Sequence, residues 1–132
     1  MLGNMVHHRI YTSYFGNIKN IKIPVEFVNI SRYPPKWFVD MRFKSWQKLA
    51  PSSRLLYFYK YKNLSKDDYT KTYLDELRYN IEDVNFFIEY CEEKKKDFCF
   101  LCYETPEKFC HRHIFANWVN SFNILRYPIC EY

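Results

Sequence analysis

The chain is poor in glycine, with only Gly3 and Gly16 among its 132 residues. A glycine-rich loop that wraps a phosphate group needs several glycines close together, so this scarcity argues against that kind of site. Long hydrophobic runs are also missing, and residues 1–5 are too polar for a secretory signal peptide. We therefore expect a soluble, cytoplasmic protein without a membrane partner.

The five cysteines are an odd number, and they form no spaced disulfide framework. Reduced thiols in a reducing compartment are the simpler interpretation, because disulfides are rare in the cytoplasm. The sequence therefore predicts free thiols.

Length and composition indicate one compact domain that spans residues 1–132, since a hydrophobic fraction of 48% argues against disorder. The net charge of +5 favours anionic ligands without requiring nucleic acid. Aromatic and basic residues are interleaved along much of the chain, as on surfaces that stack nucleic-acid bases. The codon bias of AT-rich genomes explains this composition more simply, because it raises Lys, Asn, Ile, Tyr and Phe together.

Strand and helix patterns alternate along the chain. Aromatic and β-branched content predicts the first strands, three- and four-residue apolar spacing predicts the helices, and residues 36–50 have no clean period. This order predicts an α/β fold: a small single-domain three-layer fold with a mainly parallel central sheet and helices on both faces. The predicted strands are residues 9–15, 25–31, 97–104 and 124–130, and the predicted helices are residues 51–62, 66–79, 81–95 and 109–122.

Residues 100–112 combine a strand end, a short loop and a helix start. The preceding apolar run predicts a buried strand that ends in a carboxylate, Glu104. Open α/β sheets bind ligands at such places, because unpaired N–H groups and the helix dipole attract anions. We therefore expect the functional site here. A thiol, an imidazole and a guanidinium open the predicted helix: Cys110, His111 and Arg112.

Cys99 and Cys102 form a C-x-x-C pattern of the kind found in redox and zinc sites. Residues three apart on a strand point to opposite faces, so these thiols are not expected to meet. Both are interpreted as small buried residues. Cys102 and Glu104 do share a face, which predicts that Glu104 points to the ligand crevice with Cys102 as a contact residue.

Cys110 is the candidate nucleophile. The helix dipole stabilises the thiolate of a cysteine in the first helical turn, and the neighbouring His111 and Arg112 would stabilise it further. Glu104 or His111 would act as the general base. The alternative is that Cys110 packs inward against the strand, while only His111 or Arg112 faces the ligand.

A metal site is not predicted. Cys102, Cys110, His111 and His113 include suitable ligand types, but their spacing fits no common structural zinc pattern. Consecutive helix positions diverge by about 100°, so at most two of the last three side chains could face one ion. No cofactor is expected either.

Arg32 follows the second predicted strand and precedes a stiff Pro-Pro pair, a context that suits bidentate capture of phosphate or carboxylate. Thr12 and Ser13 lie near the end of the first strand and are candidate hydrogen-bonding residues. Together with Arg112 and the helix start, these residues predict a cationic pocket for an anionic small molecule.

Several segments resemble the domain-of-unknown-function-488 family. Residues 101–104 (Leu-Cys-Tyr-Glu) and 109–113 (Phe-Cys-His-Arg-His) resemble its C-terminal signature. Residues 10–15, 30–38 and 48–52 resemble further blocks of one branch, so the resemblance runs nearly end to end. The resemblance implies a small α/β fold that is suspected of enzymatic activity, with no established reaction. Some branches have Asp-Val-Arg after the second strand, whereas the sequence here is Asn-Ile-Ser-Arg, so no role of that acidic residue is carried over.

The predicted function is a small enzyme, a Cys/His/Glu-dependent hydrolase or transferase with Glu104, Cys110 and His111 as catalytic residues. Its substrate would be a phosphorylated or otherwise anionic small molecule, such as a nucleotide or nucleoside derivative. Two alternatives remain open. The same pocket could belong to a metabolite-binding module without catalysis, or the protein could bind RNA or DNA through residues 32–46.

Overall fold

A computed structural model describes residues 9–105 and 107–132, and in them five strands form one parallel sheet. The central strand, Asp97–Cys102, is buried from Phe98 to its end, as expected for a strand with parallel neighbours on both sides. The strands are β1 (Ile10–Tyr14), β2 (Val25–Asn29), β3 (Lys44–Ser45), β4 (Asp97–Cys102) and β5 (Cys130–Glu131), in the order β3-β2-β4-β1-β5.

Serine residues cap two of the helices. The Ser52 hydroxyl accepts a hydrogen bond from the Leu55 N–H at 3.0 Å, and the Ser65 hydroxyl accepts one from the Asp68 N–H at 3.0 Å. In the described part of the chain, no helix has the length and apolar character needed to cross a membrane. The α-helices are α1 (Lys36–Asp40), α2 (Ser53–Tyr61), α3 (Lys66–Tyr79), α4 (Ile81–Glu93) and α5 (His111–Ser121), and short 3₁₀ helices span Phe15–Asn20 and Gln47–Leu49.

The side chains of β4 alternate between two apolar clusters. Phe98 and Phe100 belong to a cluster that includes α2, α3, α4 and α5, whereas Cys99 and Leu101 belong to a cluster with α1 and the first 3₁₀ helix. The sheet is therefore the middle of three layers. This arrangement confirms the predicted α/β fold, and every observed strand pairing is parallel.

Two predicted bounds at the site are each wrong by two residues. β4 ends at Cys102 rather than at residue 104, because its neighbours β1 and β2 end opposite Cys102 and Leu101 and offer no further pairing. Helix α5 begins at His111 rather than at residue 109. Cys110 is its N-cap residue, with an extended backbone (φ −149°, ψ 144°) rather than a place in the first turn.

Other element bounds differ as well, by six residues at the start of the last strand. The final strand β5 begins at the end of the predicted range 124–130, and the unassigned region 36–50 contains α1 and β3. By contrast, the helix predicted over residues 66–79 has the same bounds as α3. Short edge strands have too few residues to show a clear period, which explains why their bounds are hard to predict.

The chain leaves β2 and β4 in opposite directions. After β2 it passes through α1 on one face to reach the edge strand β3, and after β4 it passes through α5 on the other face to reach β5. Adjacent parallel strands whose connections diverge leave a crevice beyond their carboxyl ends, where open α/β sheets bind ligands. The residues that follow Asn29 and Cys102 border this crevice.

Candidate functional site

A cavity of about 210 Å³ lies in the crevice beyond β2 and β4. One wall comes from residues that follow β2, a second from residues between β4 and α5, and a third from α2 and α3. The Tyr103 hydroxyl donates a hydrogen bond to the Tyr33 carbonyl, which joins the first two walls. The lining residues are Ser31, Arg32, Tyr33, Pro51, Leu56, Tyr59, Tyr69, Cys102, Tyr103, Glu104, Phe109, Cys110 and His111.

Cys102 and Cys110 meet at this cavity, and their Sγ atoms form a disulfide. This pairing departs from the expectation that all thiols are reduced, and the 7.6 Å between the two Cα atoms is wider than the roughly 4.4 to 6.8 Å usual for a disulfide. Cys102 ends a strand and Cys110 caps a helix eight residues later, so their approach depends on the tertiary fold and not on local spacing. Cys99 lies in the cluster on the other face of the sheet and is free, as the alternation along β4 predicts.

The free cysteines Cys91 and Cys99 are buried in the core. Burial raises the pKa of the Cys99 thiol to about 12, and burial also raises the pKa of Cys91. Both thiols therefore stay protonated and unreactive at neutral pH. Reactive thiol chemistry at these positions is disfavoured, which leaves the Cys102–Cys110 pair as the chemically relevant one near the cavity.

His111 is held by a hydrogen bond that the sequence did not indicate. Its Nε2 lies 2.7 Å from the carbonyl oxygen of Ile30, just beyond β2. A carbonyl only accepts, so Nε2 carries the proton and Nδ1 is left as an acceptor. Nδ1 lies 3.9 Å from the Sγ of Cys110. Burial is the main reason that the pKa of His111 falls to about 4, so the imidazole is neutral at neutral pH.

Arg112 is completely buried, and its charge is met inside the protein. Its Nη2 lies 2.8 Å from the carboxylate of Glu131, and its Nε also donates to that carboxylate. Its Nη1 donates to the Cys102 Sγ at 3.0 Å and to the Glu104 carbonyl. The guanidinium therefore ties α5 to β5 and to the loop after β4. Ligand binding by Arg112 remains a prediction, since the hydrogen bonds observed for its guanidinium are all with other residues of the chain.

Glu131 is the ion-pair partner of Arg112, and the sequence pattern did not identify it. Its carboxylate also accepts a hydrogen bond from the Thr12 hydroxyl at 2.6 Å. Thr12 therefore contacts the Arg112–Glu131 ion pair and does not line the cavity. The Ser13 hydroxyl accepts from the Asn17 amide at 3.0 Å and is likewise absent from the cavity lining. The only sequence signal for Glu131 was an acidic residue beside the predicted last strand, which did not identify its partner.

Arg32 lines the cavity, and backbone carbonyls hold its guanidinium there. Nε donates to the Pro51 carbonyl at 3.1 Å, and Nη2 donates to the Gln47 carbonyl at 3.1 Å. Carbonyl oxygens orient a guanidinium without neutralising it. No carboxylate lies within ion-pair distance of Arg32 among residues 9–105 and 107–132. Its charge therefore remains available to an anionic ligand.

Glu104 also lines the cavity, at its exposed rim. Its backbone carbonyl accepts from Arg112, while no hydrogen bond or ion pair involves its carboxylate within the described residues. The structure thus places Arg32, Cys102, Glu104, Cys110 and His111 around one cavity.

The aromatic and basic region 32–46 does not present one continuous surface. Phe38 is buried in the cluster on the α1 face, and Trp46 stacks on Phe87 with ring centroids 4.5 Å apart. Trp37 remains half exposed. Nucleic-acid binding through this region remains a prediction.

A family model described as the active DUF488-N3 subclade matches residues 18–122. The chain belongs to the DUF488 family. This match confirms the resemblance noted from the sequence. The matched range includes Arg32, Cys102, Cys110 and His111, whereas Glu131 lies beyond it. No curated protein and no solved structure matches the chain.

The buried ion pair of the DUF488 chain predicts a stability loss when its carboxylate is removed. Glu131→Ala leaves the Arg112 guanidinium without its charged partner, so we expect the free energy of unfolding to fall by about 3 kcal/mol. Asp40→Ala is the matched control, because it removes an exposed ion pair with Lys36 and should have little effect. Urea denaturation measures both, and similar losses in the two variants would contradict the interpretation.

The burial of His111 predicts a pH dependence of stability. Its pKa is about 4 in the folded protein against 6.5 ordinarily, so the unfolded chain binds more protons between these values. Stability should therefore fall by about 3 kcal/mol as the pH drops from about 6.5 to 4. His111→Gln should remove most of this slope in urea denaturation. His113→Gln should keep most of it, because His113 is partly exposed. An unchanged slope in His111→Gln would exclude this origin.

Proposed function

We propose that the DUF488 chain is a cysteine-dependent enzyme that transfers or hydrolyses a group of an anionic small molecule. The main support is that the Sγ of Cys110 and the Nδ1 of His111 lie 3.9 Å apart beside a cavity that Arg32 also lines. A nucleophile, a proton acceptor and an uncompensated cation around one cavity are the parts that such a reaction needs.

The cavity walls support a ligand with a planar ring. Tyr59, Tyr69 and Phe109 contact one another with ring centroids 4.9 to 5.7 Å apart, and all three line the cavity. Aromatic walls favour stacking with a planar group, while Arg32 favours a phosphate or carboxylate. A nucleotide or nucleoside derivative has both features. The volume of about 210 Å³ is below the range of about 300 to 1,000 Å³ typical of drug-sized ligands, so only the reacting part would enter.

Proton transfer follows from the tautomer of His111. In the reduced enzyme, Nδ1 accepts the Cys110 thiol proton while the sulfur forms a bond to the electrophilic atom of the ligand. The bond from that atom to the leaving group breaks, and the imidazolium returns its proton to the leaving group. Because the pKa of His111 is about 4, the imidazole holds the proton only during the step.

Release of the bound group requires a second nucleophile. Water or an acceptor hydroxyl attacks the group on Cys110, the carboxylate of Glu104 takes the proton, and the bond to sulfur breaks. The proton then returns to the sulfur, which restores the thiol. Water gives hydrolysis and another hydroxyl gives group transfer. The disulfide form of Cys110 has no free thiol and is inactive in this scheme.

The experiment uses the reduced full chain and a panel of ribonucleoside and deoxyribonucleoside monophosphates. Chromatography follows product formation, and peptide mass spectrometry looks for an adduct on Cys110. We expect turnover that requires a reductant. Cys110→Ser and Glu104→Gln should each abolish this turnover. Arg32→Gln should weaken it, mainly by raising KM. Cys130→Ser and Glu107→Gln are matched controls that should retain turnover, because neither residue lines the cavity.

Turnover that survives in Cys110→Ser would exclude the nucleophile. Reversible binding of a monophosphate without product, in the wild type and in Cys110→Ser alike, would instead support a metabolite-binding module. That outcome would keep Arg32 and the aromatic walls as the binding site and remove the catalytic proposal.

A further inference from the structure

We propose that the reduced DUF488 chain binds a soft divalent metal ion, with Zn²⁺ as the natural candidate, through Cys102, Cys110 and His111. The two Sγ atoms and an imidazole nitrogen lie within 4.8 Å of one another, and all three residues are buried. Thiolate and imidazole are the ligands that zinc prefers in proteins. This inference does not depend on the proposed reaction, because metal binding is measured without a substrate.

The N-cap position of Cys110 is what lets consecutive residues face one ion. The expectation that at most two of Cys110, His111 and His113 could face one ion rests on helical geometry, in which consecutive side chains lie about 100° apart. Cys110 instead has an extended backbone, so its sulfur turns towards the His111 ring. The distance from Sγ to Nδ1 is 3.9 Å, close to the roughly 3.6 Å expected for two such ligands on a tetrahedral zinc ion.

Outer contacts already orient two of the three ligands. The Nε2–H of His111 donates to the Ile30 carbonyl, which leaves Nδ1 free to bind an ion. The Nη1 of Arg112 donates to the Cys102 sulfur. Metal-binding histidines usually donate their second ring N–H to a carbonyl or carboxylate, and such contacts fix both the tautomer and the ring direction.

The backbone spacing also suits a shared ion. The Cα atoms of Cys102 and Cys110 are 7.6 Å apart, whereas disulfides usually have Cα separations of about 4.4 to 6.8 Å. Two thiolates bound to one zinc ion, each at about 2.3 Å, sit farther apart than two bonded sulfurs and match this wider spacing.

Charge balance favours a divalent ion in this buried place. Binding releases the two thiol protons, so two thiolates and a neutral imidazole surround a charge of +2, and the first shell is neutral. The adjacent Arg112 charge is balanced separately by Glu131. Three protein ligands leave a fourth position for water or a bound molecule, and all three ligand residues line the cavity. An ion bound there would have the Cys110 thiolate as a ligand, so metal binding would prevent Cys110 from acting as a nucleophile.

The test uses the full chain, reduced and treated with chelator, then freed of chelator and kept anaerobic. Co²⁺ serves as the spectroscopic probe, because it binds zinc sites and absorbs through its thiolate bonds. We expect a thiolate-to-cobalt band in the near ultraviolet that saturates at one equivalent and disappears when Zn²⁺ is added. The disulfide form should give no band.

Substitutions of single residues identify which side chains bind the metal ion. Cys102→Ser and Cys110→Ser should each lose the saturable band, and His111→Gln should weaken cobalt binding at least tenfold. Cys130→Ser and His113→Gln are matched controls that should keep it, since neither residue belongs to the cluster. No saturable band in the reduced wild type would overturn the proposal, and so would an unchanged band in Cys110→Ser.

A measurement on the wild type covers the case in which a variant fails to fold. Zn²⁺ should protect Cys102 and Cys110 from alkylation in the reduced chain, as read by peptide mapping, while the labelling of Cys130 is unchanged. Equal labelling of all three with and without Zn²⁺ would overturn the proposal. This readout needs no turnover, so a failure here is distinguishable from a failure of the proposed enzyme activity.

Discussion

The Arg112 guanidinium has no exposed surface, and a buried positive charge is costly unless it is paired and hydrogen-bonded. Glu131 supplies the opposite charge from β5, and the Cys102 sulfur and the Glu104 carbonyl accept the N–H groups of Nη1. One side chain therefore joins the last strand, the last helix and the loop between β4 and α5. The position of Cys110 follows from this arrangement, because it is the residue before the helix that Arg112 anchors.

A second consequence concerns the two arginines near the site. Arg112 is neutralised by Glu131, whereas Arg32 is oriented by carbonyl oxygens and keeps its charge. We therefore propose Arg32 as the anion-binding residue, while Arg112 donates a hydrogen bond to the sulfur of Cys102. The division follows from what surrounds each guanidinium and could not be read from the residue type alone.

The fold was largely predictable because long elements have clear patterns. The helix over residues 66–79 has a serine cap, acidic residues in its first turn and apolar residues at helical spacing, and the structure shows the same bounds. The apolar run in β4 likewise indicated a buried central strand. Short edge strands lack such patterns, so β3 went unassigned and the bounds of β5 were shifted.

The site was predictable only in part. Strand and helix order placed Glu104, Cys110 and His111 near one another, since both strand ends and helix starts meet at one edge of a parallel sheet. The Ile30 carbonyl that fixes the His111 tautomer could not be found, because every residue has a carbonyl and sequence spacing gives no signal for a contact 81 residues away. The pairing of Cys102 with Cys110 depends in the same way on tertiary structure.

We propose that, in the reduced protein, Cys110 reacts in a cavity where Arg32 attracts anions. The most direct test compares alkylation of Cys110 by iodoacetate, an anion, and by neutral iodoacetamide, with chelator present and peptide mapping as the readout. We expect an iodoacetate-to-iodoacetamide rate ratio above that of a free thiol such as N-acetylcysteine, and a return to the free-thiol ratio in Arg32→Gln. If Cys110 reacts only after unfolding, or shows the free-thiol ratio in the wild type, then Arg32 does not direct anions to a reactive Cys110.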